Sequence, residues 1–251
     1  MLTIKYRLII IVSMLALIGC TQGKFDTKKA IVVGASIAQA VTLDENSVKR
    51  TATLAAKEYD GKHLIADSKD AYSLRLFKMT DPLKNYEGLQ LNFKVYKADD
   101  VNAFAMADGT VRVYTGLMDA MPDDQVLAVI GHEIGHVKLK HSFNQMQSQL
   151  LTNATLQAAI SIGGVVGSLS SGQLGQLASG VISAQFSQRD ELSADVFAVK
   201  LLRDLGKDPR AMTRSIRTLK AKFGRGGGFL SSHPSNDKRI TNLEKAITQS
   251  N

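Results

Sequence analysis

The chain has 251 residues, 44% of them hydrophobic, which suffices for one substantial core. Its net charge is +8, from 31 basic and 23 acidic residues. The basic residues are scattered with no dense run, which excludes a nucleic-acid-binding strip and leaves a modest attraction to anionic membrane surfaces. One cysteine, Cys20, stands in the chain, so no intramolecular disulfide can form.

The N-terminus accounts for that cysteine. Lys5 and Arg7 make a basic segment, and Leu8 to Ile18 is an apolar run too short to span a bilayer as a mature helix. It ends in Leu17-Ile18-Gly19-Cys20, which resembles the lipobox of bacterial lipoproteins. The resemblance implies a signal peptide at 1–19, acyl chains on Cys20 and a firm membrane anchor. The competing reading is an ordinary signal peptide with an incidental cysteine. Thr21 stands where an inner-membrane retention signal would have aspartate, which implies the outer membrane of a Gram-negative envelope.

Residues 20–43 read as the anchor and tether, with a short apolar helix expected over 31–41. The domain proper is expected from 44 to 251. Residues 44–78 show helical spacing with a break near Asp60-Gly61. His63 falls in that break, and as a lone loop histidine is expected to be solvated. Residues 89–97 alternate apolar and polar, predicting a half-buried strand. Ala103–Ala107 and Thr110–Tyr114 flank Asp108-Gly109, a strong two-residue hairpin signal. The 103–107 strand is either a cradle for an extended peptide or an ordinary edge strand.

Residues 131–136 read Gly-His-Glu-Ile-Gly-His. Two histidines four apart share one helix face, so both imidazoles can reach one metal ion, with Glu133 beside it to take a proton from water. Val126, Ile130, Ile134 and Val137 form the opposite, core-facing stripe. The alternative is a chance match in a core helix. On the same helical wheel His141 falls with the apolar stripe, away from the metal pair, and reads as a packing or hydrogen-bonding histidine.

Residues 142–188 contain no charged side chain. The first part continues as helix, and the glycines from Gly163 to Gly180 are expected to break it up. A transmembrane hairpin is opposed by the density of Ser and Gln; a mobile cover over the site, or a surface facing lipid or substrate, fits better. Gln188 to Leu205 is a helix stopping at Gly206. Its Glu191 and Asp195, four apart, are either a solvated acidic face or a third metal ligand with a carboxylate supporting a ligand histidine. A further helix follows Asp208-Pro209, with Met212, Ile216, Leu219 and Phe223 inward. His233 precedes the last helix, either facing a cleft, where it could stabilise an oxyanion, or lying on the surface.

Taken together, Val101-Asn102-Ala103-Phe104-Ala105, the Gly131-His132-Glu133-Ile134-Gly135-His136 helix, Glu191-x-x-x-Asp195 and His233-Pro234 occur in the order seen in the CAAX prenyl protease/HtpX group of zinc peptidases, and the chain resembles its soluble lipoprotein branch. The resemblance implies an α+β, mainly helical, zincin-type peptidase domain with a small sheet or hairpin before the active helix. It implies one Zn2+ per chain on His132, His136 and Glu191, with Asp195 as the neighbouring acid, sometimes assigned as proton donor. It also implies a substrate cleft lined by Asn102, Ala103, Phe104 and Ala105, and His233 near the reacting carbonyl. The function expected is a membrane-anchored endopeptidase acting on unfolded or misassembled envelope proteins. Two other readings are a lipid-anchored chaperone or binding protein with a latent or structural zinc site, and a peptidoglycan-directed zinc hydrolase. The second is disfavoured because such enzymes rarely carry the glutamate base directly beside the first ligand histidine.

Overall fold

The computed structural model describes residues 44–153, 156, 169–224, 227–234 and 237–248. The signal peptide, Cys20, the tether and the 31–41 segment lie outside them. Nine helices and three strands follow in order among the described residues: α1 (Glu45–Asp60), α2 (Ala71–Thr80), β1 (Asn92–Tyr96), β2 (Ala103–Ala105), β3 (Thr110–Tyr114), α3 (Thr115–Ala120), α4 (Asp123–Lys138), α5 (His141–Thr152), α6 (Ser171–Ser183), α7 (Gln188–Asp204), α8 (Ala211–Phe223) and α9 (Asp237–Thr248). The fold is mainly helical with one small sheet, as the motif order implied.

The sheet has strand order β1-β3-β2. β2 and β3 form a hairpin as expected, with Ala103 opposite Val113 and Ala105 opposite Val111, but Met106 pairs with Thr110 and the loop has three residues, Ala107-Asp108-Gly109, rather than two. The turn at Asp108-Gly109 is closed by Met106 N–H donating to Thr110 C=O, and Gly109 supplies the positive φ it needs. β1 instead runs parallel to β3, with Asn92 against Thr110 and Tyr96 against Tyr114, so β3 is central. Strand alternation splits the core in two. Val95, Ala103, Ala105, Val111 and Val113 join α4, α7 and α8. Tyr96, Phe104, Met106 and Tyr114 face the other way, joining α1, α5 and α6. A central strand covered on both faces is buried along its whole length, and β3 is.

Helix ends follow local chemistry. Asp44 and Asp70 cap α1 and α2 by accepting from Ser47 N–H and Tyr72 N–H. Pro122 precedes α4, with Asp123 and Asp124 at its positive end. Lys140, at φ 63°, ends it by turning the chain left-handed, so His141 opens a new helix.

Three expectations are corrected here. The glycine-bearing stretch that was to be broken up is helical over Ser171–Ser183. Ser170 and Gln173 form a reciprocal cap there, and Gly180 permits the close approach of Gln149. His63 is half-buried rather than solvated: its ring lies 4.1 Å from that of Tyr59 and 4.7 Å from that of Tyr96, and its Nδ1–H donates to Tyr59 C=O. Phe223, expected inward, is 37% exposed, while Met212, Ile216 and Leu219 are buried. Among the described residues no helix is long and apolar enough to cross a membrane.

Candidate active site

α4 packs along α7, and the site is built on that interface. Small residues make it close. Gly131 and Gly135 on α4 lie against Ala198 and Ala194 on α7, leaving no room for a larger side chain at Gly135. The histidines and Glu133 belong to the same turns of α4 as these glycines, and Glu191 and Asp195 to the same turns of α7. Close packing of the two backbones therefore brings His132, Glu133, His136, Glu191 and Asp195 into one buried cluster.

Four donor groups converge: His132, His136, Glu191 and His233 offer atoms all within 4.8 Å of one another. His132 Nε2 lies 3.0 Å from His136 Nε2, 3.2 Å from His233 Nδ1 and 3.5 Å from Glu191 Oε2. Glu191 Oε1 lies 3.4 Å from His136 Nε2 and 3.0 Å from His233 Nδ1. Zinc bonds of about 2.0–2.1 Å put the vertices of a tetrahedron roughly 3.3 Å apart, which is the spacing observed. Charge points the same way. Glu133, Glu191 and Asp195 are buried together, and Arg239 supplies the one permanent positive charge beside them. A buried excess of negative charge is costly, and a divalent cation cancels it. Glu191 Oε2 lies 2.7 Å from Arg239 Nη1 yet accepts no hydrogen bond, and Glu133 Oε1 likewise accepts none. The donor set fits zinc.

The titrations follow from burial and these neighbours. Burial pushes the His136 imidazole far below its usual range, leaving it neutral, as a metal ligand must be. Burial raises the Glu133 carboxyl, with His233 and His132 pulling it partly back. For Glu191 burial acts upward too, but His132 and His233 outweigh it and hold the carboxyl well below the carboxylate range. Asp195 is likewise held down by Arg239 against its burial. Burial would lower His233, but Glu133 and Glu191 raise it.

Asp195 sits behind the cluster. Its Oδ1 accepts from His132 Nδ1–H at 2.8 Å, and Arg239 grips both of its oxygens at 2.7 and 2.8 Å. Arg239, the largest fully buried side chain, also donates to the carbonyls of His233 and Pro234. It thereby ties the α9 helix and the His233 turn to α7. His233 is neither on the surface nor at a distance from the donors: it is 3% exposed, stacked on Phe229 at 4.3 Å, and its Nδ1 is the fourth donor. Its Nε2 lies 3.3 Å from Glu133 Oε1.

The Asn102–Ala105 segment runs at the sheet edge beside α4. Ala103 and Ala105 face the α4 side, whereas Phe104 packs in the other core and its backbone pairs with Arg112. Ala105 C=O accepts from Ser142 Oγ at 3.2 Å, and Asn102 Oδ1 accepts from Ala103 N–H. His141 corrects the helical-wheel expectation. Because Lys140 breaks the helix, His141 turns back, and its Nδ1 stands 3.1 Å from Nδ1 of His136. Phe186, from the uncharged stretch, lies flat over His136 at 3.8 Å. Sequence reasoning missed Arg239 and Phe186. No spacing marks Arg239, six residues after His233 on an amphipathic helix, and only its lack of an apolar alternative at an inward position could have drawn notice.

A paired-histidine helix packed on a glutamate-bearing helix, with a buried donor set for one cation, defines a metallopeptidase of the H-E-x-x-H type. The chain belongs to peptidase family M48, whose family model matches residues 78–247. It is 42% identical to the metalloprotease LoiP of Escherichia coli K12 over 92% of both chains, and 38% identical to the metalloprotease YcaL of the same strain over 97% of both. Over 63% of its length it is 29% identical to the β-barrel assembly-enhancing protease of E. coli K12, covering 34% of that protein. The protein is a zinc-dependent metalloendopeptidase.

Proposed function

We propose that the protein is a lipid-anchored endopeptidase of the bacterial envelope, hydrolysing unfolded or misassembled proteins. The observation that carries the catalytic part is the meeting of His132, His136 and Glu191 at tetrahedral spacings, with Glu133 Oε1, which accepts no hydrogen bond, beside them. His132, His136 and Glu191 would hold zinc, which when bound polarises the scissile carbonyl and acidifies a coordinated water. Glu133, its carboxyl raised by burial, takes the proton of the attacking water at Oε1 and passes it to the leaving amine. Asp195 keeps the His132 proton on Nδ1 and its lone pair on Nε2. Ala103 and Ala105 align an extended substrate along the outer edge of β2, displacing Asn102 Oδ1 from Ala103 N–H and the Ser142 hydroxyl from Ala105 C=O.

Hydrolysis needs one vertex for water. His233 Nδ1 is the fourth donor atom of the cluster, so for turnover it would have to leave one zinc position to water, and its imidazole would then be the group available to donate to the developing oxyanion. The same observation favours one competing reading, an anchored binding protein whose three-histidine, one-glutamate zinc set is closed and latent. Protein substrates are supported by the names of the metalloprotease relatives, and the envelope location by the Cys20 lipobox and the similarity to a protease named for β-barrel assembly.

One comparison tests the reading. Purified protein should cleave casein in a chelator-sensitive way, and Glu133→Gln should keep one zinc per chain while losing about 10²–10⁴ of the rate. Undiminished cleavage by Glu133→Gln refutes the base assignment, and zinc-replete protein with no cleavage of any unfolded substrate favours the latent site.

A further inference from the structure

The two histidines of α4 have outer nitrogens with partners of different kinds. His132 Nδ1 meets a carboxylate, which can only accept, so its proton is placed without ambiguity. His136 Nδ1 meets another imidazole nitrogen, Nδ1 of His141, at 3.1 Å. One of the pair must donate and the other accept, and the pair alone does not say which.

The far side of His141 does. Its Nε2 is 3.4 Å from Ser193 Oγ and 3.4 Å from Asp190 Oδ1. Ser193 gives its single hydroxyl proton to the Asp190 carbonyl at 3.0 Å, so toward His141 it can only accept. The Asp190 carboxylate also only accepts, and both oxygens therefore require the proton on His141 Nε2. In the neutral ring Nδ1 is then an acceptor. That obliges His136 to carry its proton on Nδ1 and to present a bare Nε2 to His132, Glu191 and His233. The order of bonds is complete from α7 to the cluster: Asp190 and Ser193, His141, His136.

We infer that His141, held by Asp190 and Ser193, is the positioning residue that sets the tautomer of His136 for zinc, the part Asp195 plays for His132. The inference rests on His136 being a zinc ligand. It explains a local feature otherwise without purpose: the left-handed Lys140, which swings His141 back over the end of its own helix. It also gives the first turns of α7 a second task, since Glu191 enters the cluster while its neighbour Asp190 anchors His141 from outside.

The test is zinc affinity, measured by competition with a chromophoric chelator on the whole protein, beside thermal unfolding of each apoprotein. His141→Phe keeps a ring of similar size but no acceptor, and is expected to weaken zinc binding about 10- to 100-fold. His141→Gln restores an acceptor oxygen and should recover most of that loss. Asp190→Ala, at the solvent end of the chain of bonds, should weaken zinc a few-fold and serves if His141→Phe does not fold. The inference is overturned if His141→Phe holds zinc as tightly as the parent, or if His141→Phe and His141→Gln are equally impaired. For Asp190→Ala, unchanged affinity counts against it. A parent that binds no zinc at all defeats instead the ligand assignment beneath it.

Discussion

Gly135 sits between the two histidines of α4, and a methyl group there is a probe of how closely the two site helices must approach. A Cβ at this position would stand 3.1 Å from both the Cα and the carbonyl oxygen of Ala194, and 3.2 Å from Phe197 Cβ. Two of these are α7 backbone atoms, which cannot rotate away. Restoring ordinary contact of about 3.5 Å requires α4 and α7 to part by roughly 0.4 Å. Glu191, one turn from Ala194, is carried along. Metal sites tolerate errors of about 0.2 Å in ligand distance, so the carboxylate falls short of the vertex the imidazoles define. Gly131, one turn earlier on the same face, is the internal control. Its added Cβ meets nothing closer than 3.4 Å, at Ala198 and the flexible end of Leu201.

The energies separate the two variants. Glycine to alanine in a helix interior stabilises by about 1 kcal/mol. For Gly135→Ala, overpacking costs about 1–3 kcal/mol, leaving a net loss of roughly 0–2. Gly131→Ala should gain up to about 1 kcal/mol. Zinc titration against a competing chelator, with urea unfolding of the apoproteins, reads both. Gly135→Ala is expected to lose about tenfold or more in zinc affinity, out of proportion to its small change in stability. Zinc binding and casein cleavage at parental levels in Gly135→Ala would falsify the claim that helix approach sets the ligand geometry. So would an equal loss in Gly131→Ala.

Arg239→Met should destabilise by about 3–5 kcal/mol in urea unfolding, because Asp195 and Glu191 lose their one buried cation; a change within about 1 kcal/mol would show that water already serves those carboxylates. Asp60→Asn removes the partner shared by Arg112, Lys94 and the Tyr96 hydroxyl, and should cost about 2–4 kcal/mol at pH 7. Burial acts to raise the Asp60 carboxyl, but these three partners hold it well below its unfolded value of 3.8. Its contribution is thus complete above that value and fades in acid, narrowing the gap between parent and variant by about 1.4 kcal/mol per pH unit below about pH 3.8. A gap that stays constant from pH 5 to pH 2.5 contradicts the ion-pair account. Stripping zinc should lower the Tm, and restoring it at 100 times its Kd should return about 2.7 kcal/mol; a Tm indifferent to zinc would mean that no donor set awaits it in the folded chain.

What could be read in the chain beforehand was whatever a single element determines. The two-histidine helix, the hairpin turning at Asp108-Gly109 and the Glu191–Asp195 pair each depend on signals within one segment, and each formed, the hairpin with a loop one residue longer than its sequence suggested. What could not be read depends on where a second segment lies. β1 alternates like any half-buried strand, and nothing in it says that it lies parallel to β3 rather than beside β2. The glycines of α6 look like breakers one at a time, but the helix packs with α1 and α5, and Gly180 leaves room for Gln149 of α5. His141 failed for a subtler reason. The wheel that assigned it to the apolar stripe assumes one unbroken helix, and Lys140, which no helix-stop signal marks, adopts the left-handed turn. One residue at φ 63° thus brings a histidine expected to pack or hydrogen-bond away from the paired histidines to a hydrogen bond with His136 itself. Arg239 is the limiting case. Its burial makes sense only once three carboxylates from two other helices have been brought to the same place, so its part in the site is a property of the assembled cluster and of no stretch of chain taken alone.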